Sequence, residues 1–117
     1  MPKRLELDAG AVGALADYYD WFKDAREGDL LVYWRGSLQF DRDPANFPEL
    51  DVEGRERLAA IDALATRVMA DAREGYLILN QKKLGPDDFE YRATRRRSSL
   101  ERQLDEIKSR HEIPALA

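Results

Sequence analysis

A small α+β domain of winged-helix type is predicted by three observations along the 117 residues. A long amphipathic run from Leu58 stops at Gly75, two short β-patterned segments follow over residues 76–94, and three arginines, Arg95, Arg96 and Arg97, come next. Helix, hairpin and basic segment in that order are the sequence form of a winged helix with a small antiparallel sheet. A chain of this length supports one core and rarely two. Residues 1–97 are therefore expected to form a single domain, with residues 98–113 as a C-terminal helix that packs on it or mediates dimerisation.

The first element is a helix over residues 11–27. Val12, Leu15, Tyr18, Tyr19, Phe22 and Ala25 recur at helical spacing, and Asp17, Asp20, Lys23 and Asp24 fill the other side. Asp8 is placed to cap its start, Gly13 weakens the first turn, and Gly28 stands where a left-handed terminating residue is expected. Trp21 alone among the rings falls off the stripe, which marks it as a partner contact. Leu30-Leu31-Val32-Tyr33-Trp34 is apolar throughout and bounded by Gly28 and Gly36, so it reads as a buried strand. Residues 37–48 carry Phe40, Phe47 and two prolines among polar groups and hold a short helix or none.

From Val52 the positions Leu58, Ile61, Leu64, Ala65, Val68, Met69 and Ala72 trace one stripe, ended by Gly75. Arg55, Glu56, Asp62, Arg67, Asp71, Arg73 and Glu74 are assigned to its outward face. Tyr76 to Leu79 then forms a strand that runs through Lys82 and Lys83, turns at Gly85-Pro86-Asp87-Asp88, and returns as Phe89 to Thr94 with apolar and polar residues alternating. Ser98 with Glu101 makes a capping box for the last helix, whose seam is Leu100, Leu104, Ile107 and His111, before Pro114.

Charge is uneven along the chain. Residues 1–74 hold 16 acidic and 10 basic side chains, net −6, and residues 75–117 hold 7 and 9, net +2. The sequence pI near 5.1 argues against general affinity for nucleic acid and confines any DNA contact to one surface. Lys82, Lys83, Arg92, Arg95, Arg96 and Arg97 are the candidates for phosphate contacts there, with Arg55 and Arg57 near bases. Asp41, Asp43, Glu49 and Asp51 lack the order of a calcium loop and read as acidic surface. Cysteine is absent, which excludes thiolate metal sites and a cysteine nucleophile. His111, the one histidine, has no nucleophile or carboxylate arranged with it, so no enzyme, cofactor or metal is expected. No signal-peptide pattern or membrane-length apolar run is present, and a cytoplasmic, soluble protein is expected.

The segments Val32-Tyr33-Trp34-Arg35-Gly36-Ser37-Leu38 with Asp41-Arg42, Leu79-Asn80-Gln81-Lys82-Lys83-Leu84 after Gly75, and Phe89-Glu90-Tyr91-Arg92-Ala93 carry a family resemblance. Together they resemble small phage and prophage proteins of uncharacterised function, over residues 29–95. Trp34 stands where that group often carries histidine. The resemblance implies a mobile-element origin and brings no activity with it. Two readings follow: a DNA-binding or regulatory winged-helix module acting through the basic residues, which the element order favours, and a protein-binding accessory factor. The second, for example an inhibitor of a host defence or nucleic-acid enzyme, would use Trp21 and the acidic surface of Asp41, Asp43, Glu49 and Asp51.

Overall fold

The computed structural model describes residues 2–97 with Gln103, Leu104 and Ile107. Those three apart, the helix expected over residues 98–113, its histidine included, lies outside the described residues. Within residues 2–97 four strands and three helices follow in the order β1 (Arg4–Glu6), α1 (Ala14–Asp24), β2 (Leu30–Gly36), α2 (Leu38–Asp41), α3 (Val52–Arg73), β3 (Leu77–Gly85) and β4 (Asp88–Arg95), with a 3-10 turn at Pro44–Asn46.

The sheet is mixed rather than wholly antiparallel, in the order β1-β2-β4-β3. β1, which the sequence did not announce, runs parallel to β2 with Leu5 opposite Leu31, and α1 makes the crossover between them. β4, the last strand, lies in the middle, paired with β2 on one side and β3 on the other. A bulge between Val32 and Trp34 shifts the register of β2.

Local chemistry sets the helix ends. The Asp51 carboxylate accepts a hydrogen bond from the Gly54 amide at 2.7 Å and caps α3. At the other end the Tyr76 amide donates to the Asp71 carbonyl and the Gly75 amide to the Ala72 carbonyl, a Schellman pair closed by Gly75 at φ +87°. α1 begins at Ala14 behind a left-handed Gly13, three residues later than expected. Asp8 does not cap it: its carboxylate accepts from the Gly10 amide in a local turn. Val12, expected on the apolar stripe, is accordingly fully exposed.

Both long helices lie on one face of the sheet. Tyr18 of α1, Leu58, Ile61, Leu64 and Val68 of α3, and Leu31, Leu77 and Ala93 of the strands form one buried cluster. Four assignments of faces are corrected. Met69 and Tyr19 are exposed, whereas Trp21 packs partly buried against the core. Asp71, expected to point outward, is 3% exposed. It stands seven residues after Leu64 and three after Val68, within the stripe itself, and it is tolerated because the Tyr18 hydroxyl donates to it at 2.5 Å and Arg67 pairs with it. Burial and this bond to Asp71 push the Tyr18 hydroxyl well above the usual tyrosine range.

The opposite face of the sheet has no helix over it among the described residues. Alternation puts Arg4, Glu6, Val32, Ile78, Lys82, Glu90 and Arg92 there. Glu90 sits at the centre of its polar part, paired with Arg92 at 2.7 Å and Arg4 at 3.1 Å.

Candidate partner-binding site

The expected basic surface does not assemble. Arg95 is 3% exposed and donates to the carbonyls of Phe22, Tyr76 and Arg96, with its guanidinium 4.1 Å from the centre of the Phe22 ring. It closes the C-terminal end of α1, where carbonyls lack helical partners and a cation is favoured, so it is structural and cannot reach phosphate. Arg92 is half-buried and tied to Glu90. Lys82 and Lys83 are exposed, but Lys83 pairs with Phe89, six residues along β4 from Arg95, a separation of about 20 Å at roughly 3.3 Å per residue. Arg96 is exposed and Arg97 half-buried beyond that far end, so the two groups of cations occupy opposite ends of the sheet. Arg55 is exposed on the first turns of α3. Arg57 instead makes a bidentate pair with Asp8, at 3.1 Å to each carboxylate oxygen. Burial raises the Asp8 carboxyl, but the bonds from Arg57 and the Gly10 amide outweigh it and hold its pKa below the ordinary value.

What the fold does bring together is a pair of adjoining depressions that share Trp34 and Arg57. The bulge in β2 places the Trp34 indole on the helix side of the sheet, where Arg57 of α3 lies 5.6 Å from its ring centre. Asp41, at the end of α2, accepts from the Trp34 indole N–H at 2.9 Å and from the Ser37 amide at 3.0 Å, which fixes the ring's orientation. On one side of this pair is an apolar pocket of about 220 Å³ formed by Trp34, Phe47, Leu50, Leu58 and Ile61. Gly54 permits its wall: a β-carbon there would stand 2.6 Å from the Leu50 side chain. On the other side is a polar cleft of about 400 Å³ along the end of β1, reached by Glu6, Asp8, Arg35 and Glu90.

The connection between α2 and α3 adds exposed apolar surface and negative charge beside the pocket. Phe40 is 51% exposed and Val52 62%, and the rings of Phe40 and Phe47 meet edge to face at 5.5 Å. Residues 41–53 carry five carboxylates against the single Arg42, which is itself engaged with Asp62 on α3. Three of the four acidic residues singled out in the sequence also hold this segment in shape. Asp41 orients Trp34, Asp43 accepts from the Ala45 amide at 3.0 Å, and Asp51 caps α3, whereas Glu49 is simply exposed. Among the described residues no group of three metal-ligating side chains is placed together. No helix among them is long and apolar enough to cross a membrane.

Of the residues lining the pocket only Asp41 and Arg57 were singled out in the sequence as site candidates, and its apolar wall was not. A signal was there in Phe40, Phe47 and Leu50, apolar residues embedded in an acidic segment too irregular to bury them all. Trp21, by contrast, supports the core from α1 and lines a different depression, with Asp20, Asp24 and Leu5. Comparison with protein-family models, with curated proteins and with solved structures finds no match for this chain.

Proposed function

We infer that this chain is a non-enzymatic binding module whose partner is a protein, engaged through the Trp34 pocket and its acidic border. The observation that carries this reading is the open apolar pocket between β2 and the start of α3, flanked by exposed Phe40 and Val52. At about 220 Å³ it is smaller than the roughly 300–1,000 Å³ of small-molecule sites, and it suits one bulky apolar side chain of a partner. An aromatic-lined anchor pocket beside a predominantly acidic segment is an arrangement in which few residues supply most of the binding energy and the charged segment steers the partner. The five carboxylates of residues 41–53 call for a basic surface opposite. The resemblance to small phage and prophage proteins supports a mobile-element setting for such an accessory factor.

A nucleic-acid-associated, winged-helix-like module is the second reading. The order of α2, α3 and the β3–β4 hairpin favours it, with Arg55, Lys82, Lys83 and Arg96 exposed. Against it, α2 is four residues long where a helix-turn-helix needs a full first helix, and α3 turns its apolar stripe to the sheet with mixed charges outside.

One experiment separates the two. Immobilised wild-type chain is expected to retain a defined protein from cell lysate, and Leu50→Glu, or Glu49→Lys with Glu53→Lys, is expected to release it. Lys82→Ala with Lys83→Ala should leave capture unchanged. Capture that follows the lysines, or a DNA mobility shift that weakens steeply between about 50 and 200 mM salt, would transfer the assignment to the second reading.

A further inference from the structure

We propose that the anchor filling the Trp34 pocket is a tryptophan of the partner, with its six-membered ring on the pocket floor and its indole N–H donating to Asp41 at the rim. This inference rests on the protein-binding reading and names the side chain that the pocket selects.

The lining sorts into an apolar floor and a polar rim. Leu58 and Ile61, 7% and 2% exposed, are its most deeply buried members, and the half-buried Trp34, Phe47 and Leu50 make the walls. The two charged members are Asp41, half-buried, and Arg57, exposed. Asp41 also borders a neighbouring depression with Gly36, Ser37, Phe40, Asp87 and Asp88, so it stands where the apolar pocket ends.

The charges of the lining are balanced, and this excludes an ionic anchor. Arg57 gives both terminal nitrogens to Asp8, and within the lining Arg57 and Asp41 cancel. A lysine or arginine entering here would be set beside Arg57, and a glutamate or aspartate beside Asp41, each at a like-charge cost. The anchor is therefore neutral.

Hydrogen bonding then chooses among neutral side chains. The Trp34 indole and the Ser37 amide both donate to Oδ2 of Asp41. Oδ1 accepts from no donor among the described residues, although an ionised carboxylate has acceptor sites on both oxygens. In the free protein that oxygen is left to solvent. Leucine, methionine or phenylalanine would cover it without supplying a donor, which costs the desolvation of a charged acceptor. Tyrosine has a donor, but at its leading tip, which enters among Leu58 and Ile61 where the floor offers no side-chain acceptor. Tryptophan carries its donor on the flank of a two-ring body, so the larger ring reaches the floor while the N–H stays level with Asp41. The Asp41 carboxylate then serves two indoles, that of Trp34 on Oδ2 and that of the partner on Oδ1.

The probe is an acetylated, amidated pentapeptide with tryptophan at its centre among glycines and serines, titrated into the isotopically labelled full chain and followed by NMR. Saturable shifts are expected at the Trp34 indole, Phe47, Leu50 and Ile61. The same peptide with 1-methyltryptophan, which keeps the rings and removes the donor, is expected to bind roughly tenfold more weakly, the worth of one hydrogen bond to a charged acceptor. Asp41→Asn leaves one acceptor for Trp34 and Ser37 and puts an amide NH2 in place of Oδ1, so the two peptides should bind it equally. The methylated peptide tests the donor on the unaltered chain even if that variant fails to fold. Equal binding of the two peptides to the wild-type chain, or binding as tight by leucine or phenylalanine versions, would overturn the tryptophan and leave the pocket as an unselective apolar site. Tighter binding of a tyrosine version would overturn the choice of indole. A preference for the free N–H that survives Asp41→Asn would overturn Asp41 as its acceptor. No shift at the pocket residues with any of these peptides at about 1 mM would overturn the anchor pocket and the protein-binding reading together.

Discussion

Arg95 shows at the scale of one residue how a run of like charges is divided by a strand. Adjacent side chains in a strand point to opposite faces, so Arg95 enters the protein while Arg96 stays in solvent. Its guanidinium joins the end of α1, the start of β3 and β4 through three carbonyls and two rings. Arg95→Ala is expected to cost about 2–3 kcal/mol in urea unfolding, since the Phe22 and Arg96 carbonyls lose the guanidinium donor, the Tyr76 carbonyl keeps only the Arg96 amide, and two aromatic faces lose their cation. Arg96→Ala should stay within about 0.5 kcal/mol. Equal effects from the two variants would contradict the division. The same limit on sequence reading hid Asp71, whose position in the apolar stripe is legible while its donor, Tyr18, comes from 53 residues away.

The elements that could be read from the chain were those whose signals are local. α3 has a full stripe, an aspartate cap and a glycine stop; β2 and the hairpin have apolar runs bounded by turn residues. β1 could not be read, because Arg4-Leu5-Glu6 is exposed and too short to show a period, and it is a strand only by virtue of β2 beside it. The pocket was equally hidden: it depends on a bulge that turns Trp34 to the helix side and on the one-turn α2 that delivers Asp41 to its indole. The stop after α3 can be tested directly. Gly75 holds φ +87° with open space where a β-carbon would go, so Gly75→Ala should cost about 1–2 kcal/mol from backbone conformation alone. A melting temperature unchanged from wild type would show that the Schellman ending does not need glycine.

Across the whole molecule, ionised carboxylates stitch the N-terminal strand to the rest. Asp29 accepts from the backbone amides of Lys3 and Arg26, each at 2.9 Å, and those bonds hold its pKa below the usual 3.8. Glu90 is lowered by its bonds to Arg92 and Arg4, and Asp8 by Arg57. A carboxylate whose folded pKa is depressed contributes stability above its unfolded pKa and loses it as pH falls through the folded value. Unfolding midpoints in urea should therefore be flat near neutrality and fall below about pH 4, and Asp29→Asn should flatten that acid limb. An acid limb as steep in Asp29→Asn as in the wild type would remove Asp29 from the account.

The position of β4 has a consequence for how the protein is made. β4, an inner strand of the sheet, is the last strand translated among the described residues, and Arg95 at its end is the residue that closes α1. Until it leaves the ribosome, β2 and β3 have no common neighbour, and the two helices have only a partial sheet to lie on. The nascent chain thus holds the β4-side edge of β2 open through most of its synthesis, and the native sheet closes late, when β4 pairs with β3 in the hairpin and takes its place beside β2.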